Sequence, residues 1–214
     1  HTASKRGLMN VDQNDAEEPK YSYQIKKAKK KYIKEISSLC VDTFFEGKED
    51  LDDWFQLSRE KMRVARDLTN RWSVANTTYL IVEASEVKRT DMNNVTAPIL
   101  VGFVEITLTS EHCFALTRDA PFREYRPKIT SLVVDEKFRR QGIASLLVSA
   151  CVKQSSLWSG HTELFLEVRD ENEGAKIFYN KMGFRECIGA RDLVDDSIKG
   201  IGLYILHDSM YASS

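Results

Sequence analysis

The stretch "KITSLVVD" (residues 128–135), running into "EKFRRQGIA" (residues 136–144), decides how this chain is read. Its first half alternates too little for a half-exposed position and predicts a central strand buried on both faces. Its second half sets two arginines and a glycine just before the helical run "SLLVSACVKQSSLW" (residues 145–158). A turn from a strand into a helix leaves the first helical N–H groups without partners. The positive end of the helix dipole adds to them, so the turn forms an anion site. Gly142 gives the backbone torsions that other residues resist, Ala144 leaves little side chain in the way, and Arg139 and Arg140 bring charge. The ligand indicated is a phosphate, and best a pyrophosphate. The spacing is neither the GxGxxG dinucleotide fingerprint nor a GK[ST] phosphate loop, and plain helix capping accounts equally well for the isolated stretch.

Working outward, "TTYLIVEAS" and "ILVGFVEITLTS" (residues 77–85 and 99–110) predict two strands joined by a long polar connection. Before them, "YSYQIKKA" (21–28) predicts a first strand. Ile33, Ile36, Leu39, Cys40 and Phe44 recur at helical spacing and predict a helix ending near Gly47. A second helix is predicted over residues 51–72, with Asp52 and Asp53 at its positive end and Trp54, Phe55, Leu57, Met62 and Leu68 as its apolar material. Beyond the quoted stretch, the helix from Ile143 to about Trp158 carries Leu146, Leu147, Ala150 and Cys151 on one stripe. "TELFLEV" (162–168) predicts a strand, "NEGAKIFYNKM" (172–182) a helix stopped by Gly183, and "FRECIGA" and "GIGLYILH" two closing strands. This order predicts a mixed α/β sheet with helices on both faces. Residues 1–20 are read as a flexible tail, residues 21–214 as a single domain, and the region around residues 111–127 as an irregular insertion.

Composition narrows the function classes. The 214 residues carry 31 basic and 32 acidic side chains, a net charge of -1, so no global footprint for nucleic acid or membrane is present. Six lysines lie between Lys26 and Lys34, and they are read as the solvated approach to the first helix. Cys40, Cys113, Cys151 and Cys187 form no CxxC pair and fit isolated thiols in a reducing compartment. No apolar run is long enough to span a membrane, so no membrane anchor is expected. His1, His112, His161 and His207 are scattered, "EHC" at 111–113 lacks ligand spacing, and no metal is expected. Ser145, Ser149 and these histidines show no nucleophilic-triad motif.

"SLVVDEKFRRQGIASLLV" together with "VRDENEGAKIFYNKMGFRE" resembles the Gcn5-related N-acetyltransferase superfamily. Arg139, Gly142 and Ala144 match its R/Q-x-x-G-x-G/A signature. Asn172, Ala175, Tyr179, Gly183 and Phe184 match its second run. The likeness is specific over residues 128–186 and loose over 21–208. It implies a mostly antiparallel sheet with a central V-shaped splay, and acetyl-CoA as the cosubstrate that gives its acetyl group directly to an amine. It implies the pyrophosphate on the backbone of Arg139, Arg140, Gln141, Gly142, Ile143 and Ala144, and the pantetheine arm along Leu132, Val133 and Val134. Asn172, Ala175 and Tyr179 are then expected at the cofactor, with Asn172 ordering it or the strand-to-helix turn.

The implied chemistry needs a proton acceptor for the ammonium, a donor for the oxyanion and a donor for the departing thiolate. Tyr179 fits the last role, a phenol being a hydrogen-bond donor. For the proton acceptor three readings stand. Glu167 shares a strand face with Glu163 and Phe165, and "LEVR" before Tyr179 resembles the bacterial enzymes that acetylate the amino terminus of a ribosomal protein. Glu105, in "GFVEIT", is the rival, and a water chain to bulk is the third.

The acceptor expected from this resemblance is a protein or peptide amine, at an N-terminus or a lysine. Small amines such as polyamines, and a non-catalytic acyl-CoA-binding or protein-interaction module, are the alternatives. Loops near residues 45–55, 111–127 and 191–200 are expected to build the acceptor site, where Glu46, Glu49, Asp50, Asp52, Asp53, Asp192, Asp195 and Asp196 offer negative charge. A start at His1 and a polar leader fit a processed organellar protein, and the amino-terminal part resembles plant plastid members of the family. A plastid stroma is expected, with the cytoplasm as the alternative.

Overall fold

The computed structural model describes residues 20–44, 51–74, 76–87, 97–109, 125–158, 163–187 and 201–207, with the side chains of residues 51–55 excepted. The expected tail up to residue 19, the helix end at Gly47, most of the polar connection over residues 86–98, nearly all of the insertion and the three acceptor loops fall outside them, apart from the backbone of residues 51–55 and from residues 125–127.

Among the described residues seven strands form one sheet: β1 (Tyr21–Lys27), β2 (Thr77–Glu86), β3 (Ile99–Thr109), β4 (Arg126–Val134), β5 (Glu163–Arg169), β6 (Arg185–Glu186) and β7 (Ile201–His207). Four α-helices among the described residues accompany them: α1 (Ile33–Phe44), α2 (Leu51–Arg71), α3 (Ile143–Ser156) and α4 (Glu173–Lys181). The strand order is β1-β2-β3-β4-β5-β7-β6, and only β4 and β5 run parallel. The two closing strands are unequal. β7 lies between β5 and β6, and β6 is reduced to two residues at the edge.

Each face is covered because the strands alternate. Val82, Val104 and Leu166 belong to one buried cluster with Ile143, Leu147, Val148 and Cys151 of α3 and Tyr179 of α4. Ile81, Phe103 and Val133 point the other way, into a cluster with Ile36, Leu39 and Cys40 of α1 and Leu68 of α2. Phe165, Leu203 and Ile205 make a third, smaller cluster on β5 and β7. Each such side chain contributes about 1.5–3 kcal/mol by leaving water, which makes these stripes, rather than helix propensity, what fixes the helices. Three expected core residues are exposed instead: Phe44, Met62 and Leu146. Phe44 is the last residue of α1. On α3 the buried stripe runs through Ile143, Leu147, Val148, Cys151 and Val152, which leaves Leu146 on its flank. In the lysine-rich segment, Lys27, Lys29, Lys30, Lys31 and Lys34 are exposed, as a solvated face requires.

β4 departs from its expectation in an informative way. It is central, but not buried on both faces: Thr130 is exposed and Leu132 and Val134 are only partly covered. Two features explain this. Between the pairs Val104↔Leu132 and Ile106↔Ile129, β3 spends one residue, Glu105, while β4 spends two, Thr130 and Ser131. This bulge sharpens the local twist. Beyond it β4 pulls away from β5, with which it pairs only through Lys128↔Phe165 and Ile129↔Leu166. The sheet therefore splays between the last residues of β4 and β5.

Candidate active site

A cleft of about 470 Å³ opens at this splay. Leu132, Val133 and Val134 of β4 form one wall. Arg139, Arg140, Gly142, Ile143, Ala144 and Ser145 form its end, with Phe138 beneath them. Gly174, Ala175, Ile177, Phe178 and Lys181 of α4 form the opposite wall, and Thr43 of α1 reaches in from the other helix pair.

The turn at the end of the cleft is wound for anion binding. Arg140 and Gly142 both take left-handed torsions, φ 64° and 80°. Gly142 adopts its torsion freely, whereas Arg140 holds its own against the preference of an L residue, a strain often found at binding sites. Gly142 is the N-cap of α3 and supplies no capping side chain, and the first turn of α3 contains no acidic residue. Its N–H groups thus keep their capacity for an anion. Asp135, just past the end of β4, is folded back to accept from the Lys137 N–H at 2.9 Å. α3 itself sits close on β3: a Cβ at Gly102 would lie 2.9 Å from Cγ2 of Ile143.

Nine of the expected cofactor residues line the cleft: Leu132, Val133, Val134, Arg139, Arg140, Gly142, Ile143, Ala144 and Ala175. Three do not. The Gln141 side chain accepts a hydrogen bond from the Tyr23 hydroxyl of β1. Asn172 is the N-cap of α4, its Oδ1 accepting from the Ala175 N–H at 3.0 Å, so it orders the strand-to-helix turn. Tyr179 lies behind the lining, its ring 5.1 Å from that of Phe178 and 5.5 Å from that of Phe184. Burial pushes its phenol well up from its ordinary value, so it stays protonated and able to donate. α4 ends in a Schellman motif, with Phe184 N–H on the Tyr179 carbonyl at 3.0 Å and Gly183 N–H on that of Asn180 at 3.1 Å.

Sequence reasoning found only Ala175 of the α4 wall, although the signal for the rest was present. Gly174, Ile177, Phe178 and Lys181 follow the i, i+3, i+4, i+7 spacing of one helix face. Thr43 had no local signal, since it arrives from a helix about 90 residues away in sequence.

The two candidate proton acceptors differ sharply. Glu167 is 28% exposed in its side chain and accepts from Lys128 Nζ at 3.0 Å. Glu105 is 3% exposed in its side chain, and one guanidinium nitrogen of Arg71 reaches both its oxygens at 2.9 Å. Burial raises the Glu105 carboxyl from its ordinary value, and Arg71 only partly offsets it. The Thr130 hydroxyl, in the bulge, approaches the Glu105 carbonyl at 3.4 Å. No group of three or more metal-ligating side chains occurs among the described residues, and no described helix is long and apolar enough to cross a membrane.

Comparison with known proteins places this geometry. The chain is 33% identical over 87 residues to an N-alpha-acetyltransferase of Sulfurisphaera tokodaii, and 30% identical over 87 residues to one of Saccharolobus solfataricus. Those alignments cover 41% of this chain and 51% of each relative, so the chain spans about half the length of the curated relatives it matches. Its fold is similar to that of the PaiA N-acetyltransferase of Thermoplasma acidophilum, solved with coenzyme A (TM-score 0.55, 15% identity, 87% of this chain and 99% of that one). It is also similar to Arabidopsis thaliana NAA60 in complex with a bisubstrate analogue (TM-score 0.54, 19% identity, 86% of this chain and 96% of that one). The profile of the acetyltransferase (GNAT) family matches residues 48–184, from before α2 to the end of the α4 cap. With well over half of its length so matched, the chain belongs to the acetyltransferase (GNAT) family.

Proposed function

We propose that this protein moves the acetyl group of acetyl-CoA onto amino groups of proteins, at N-termini or lysine side chains. One observation carries the reading. A single cleft joins the anion-binding turn of residues 139–144 to the exposed flank of β4 at the splay. Such a slot suits a ligand with a pyrophosphate at one end and a narrow arm along a strand. The N-alpha-acetyltransferase relatives and the "LEVR" pattern before Tyr179 support a protein amine over a polyamine.

Bound acetyl-CoA supplies an activated thioester, and the residues of the chain supply the rest. The turn holds the phosphates, and β4 and α4 hold the arm between them. Tyr179, kept protonated by burial, donates towards the leaving sulfur. Glu105 accepts the acceptor's proton, because burial lifts its carboxyl towards the range in which a general base works. Glu167, already engaged by a lysine amine and open at the splay, orients the incoming ammonium. The compartment we propose is the plastid stroma, with the cytoplasm as the alternative. A carboxyl-terminal fluorescent tag on the full-length precursor distinguishes them.

The deciding experiment incubates the protein with acetyl-CoA and, separately, amino-terminal peptides, lysine peptides and polyamines, and locates new acetyl groups by mass spectrometry. Acetylated peptides are expected. Acetylation of polyamines alone would transfer the assignment to small amines. Acetyl-CoA binding with no product in any pool would make the protein a binding module.

A further inference from the structure

Glu105 is too enclosed to meet an acceptor by itself, since its carboxylate is 3% exposed and both oxygens are engaged by Arg71. Its neighbours supply what it lacks. Tyr79 is the residue directly across the β2–β3 pairing from Glu105. Its ring is stacked against Trp72 at 4.5 Å and Phe103 at 6.1 Å, which fixes it without using its polar end. Tyr79 is 5% exposed, and its hydroxyl is buried with no hydrogen-bond partner among the described residues. Folded proteins seldom leave such a group unmet, and a water or a ligand atom is the usual partner.

Groups from four elements face Glu105. Cys40 comes from α1, Arg71 from α2, Tyr79 from β2 and Thr130 from β4. Burial, with the Glu105 charge adding to it, pushes both the Cys40 thiol and the Tyr79 phenol to about 12, so both stay neutral and protonated at working pH. Arg71 brings the positive charge, and its side chain is 46% exposed, so the cluster runs from the sheet interior to solvent at the end of α2.

We propose that Tyr79 and Arg71 are positioning residues of the transfer reaction: the Tyr79 hydroxyl holds the water through which the acceptor's proton reaches Glu105, and Arg71 fixes that carboxylate from the solvent side. The step rests on Glu105 being the proton acceptor. An ammonium N–H bond breaks towards the water, the water passes a proton of its own to a Glu105 oxygen, and the amine lone pair is left free to attack the thioester carbonyl. Glu105 afterwards gives its proton back to a water molecule, which passes it on to solvent.

The test compares Glu105→Gln, Tyr79→Phe, Arg71→Gln and Arg71→Lys in the full chain. CoA release with acetyl-CoA and pooled amino-terminal peptides is followed across pH, and acetyl-CoA affinity is followed by calorimetry. The Glu105 carboxyl is titrated by its infrared C=O band, identified as the band lost in Glu105→Gln. Glu105→Gln should slow turnover about 100-fold or more. Tyr79→Phe should slow it about tenfold, the worth of one hydrogen bond, without changing acetyl-CoA affinity. Arg71→Gln should move both the acid limb of the pH profile and the infrared titration to higher pH, by roughly 1–3 units, since it removes a charge that favours the carboxylate. Arg71→Lys should restore most of that shift, and it serves as the readout if Arg71→Gln does not fold. Turnover at the parent rate in Glu105→Gln would remove the proton acceptor and this proposal with it. Slow Glu105→Gln beside unaltered Tyr79→Phe would leave the acceptor standing and overturn the relay. A lower melting temperature with an unmoved acid limb and infrared titration in the Arg71 variants would reduce Arg71 to a structural ion pair.

Discussion

The two sides of β4 are constructed in opposite ways. On the α3 side, six consecutive residues, 139–144, make the end of the cleft, and five of them line it directly. On the α1–α2 side, Glu105 is served by Cys40, Arg71, Tyr79 and Thr130, each from a different element. On the function proposed above, the contrast follows from what each side has to bind. An anion is met by backbone N–H groups, which every residue carries and which a turn into a helix aligns without help. Proton transfer needs particular side chains at hydrogen-bond distance with altered acidity, and these converge only after the sheet and both helices have formed.

The contrast can be broken most directly at Gly142. Gly142→Glu sets a carboxylate on the anion turn and forces a side chain into φ 80°. Acetyl-CoA affinity should fall by about 100-fold or more, roughly 3 kcal/mol, while the melting temperature drops by only a few degrees. Undiminished calorimetric affinity would show that the turn is not the phosphate seat. Tyr179→Phe should come next, slowing turnover by about 10- to 100-fold with acetyl-CoA affinity unchanged, because it removes a donor and no lining atom. A loss of affinity equal to the loss of rate would recast Tyr179 as part of the core alone.

A smaller effect joins the two sides. Gly102→Ala places a Cβ 2.9 Å from Ile143 and 3.2 Å from Leu147. Overpacking there should cost about 1–3 kcal/mol in denaturant unfolding and should weaken acetyl-CoA binding several-fold by displacing the first turn of α3. Unfolding free energy and affinity both matching the parent chain would mean that α3 shifts at no cost. The smallest effect concerns stability against pH. Because burial raises the Glu105 carboxyl, the folded chain holds that proton more tightly than the unfolded chain does. Its contribution is therefore most favourable below the ordinary carboxylate value, about 4.3, and is lost as pH rises through the folded-state value. Glu105→Gln lacks this loss, so its melting temperature should gain on the parent chain as pH rises above the ordinary carboxylate value and through the folded-state one. A difference that stays flat or runs the other way would mean that Arg71 fully compensates the burial.

How much of this was legible in the sequence follows the same division. The strand and helix order could be read because each element carries its own period, and the Schellman end of α4 was announced by Gly183. The anion turn was legible as six adjacent letters. Glu105 could be seen as a carboxylate in an apolar strand, but not as one opposite a bulge, because the bulge depends on how β3 and β4 fall into register. Arg71 and Tyr79 carried no signal at all. An arginine ending a helix and a tyrosine opening a strand are ordinary, and their meeting with Glu105 is a product of packing.

The hydrogen bond from Tyr23 to Gln141 fastens the anion turn to the edge strand of the sheet, across 118 positions of sequence. Shortening the chain from its amino end past Tyr23 would therefore act at a distance. Every atom that lines the cleft would remain, yet the turn would lose its tether to β1. Weak donor binding by so truncated a protein would look like the loss of a contact with the nucleotide, when what had gone was an anchor.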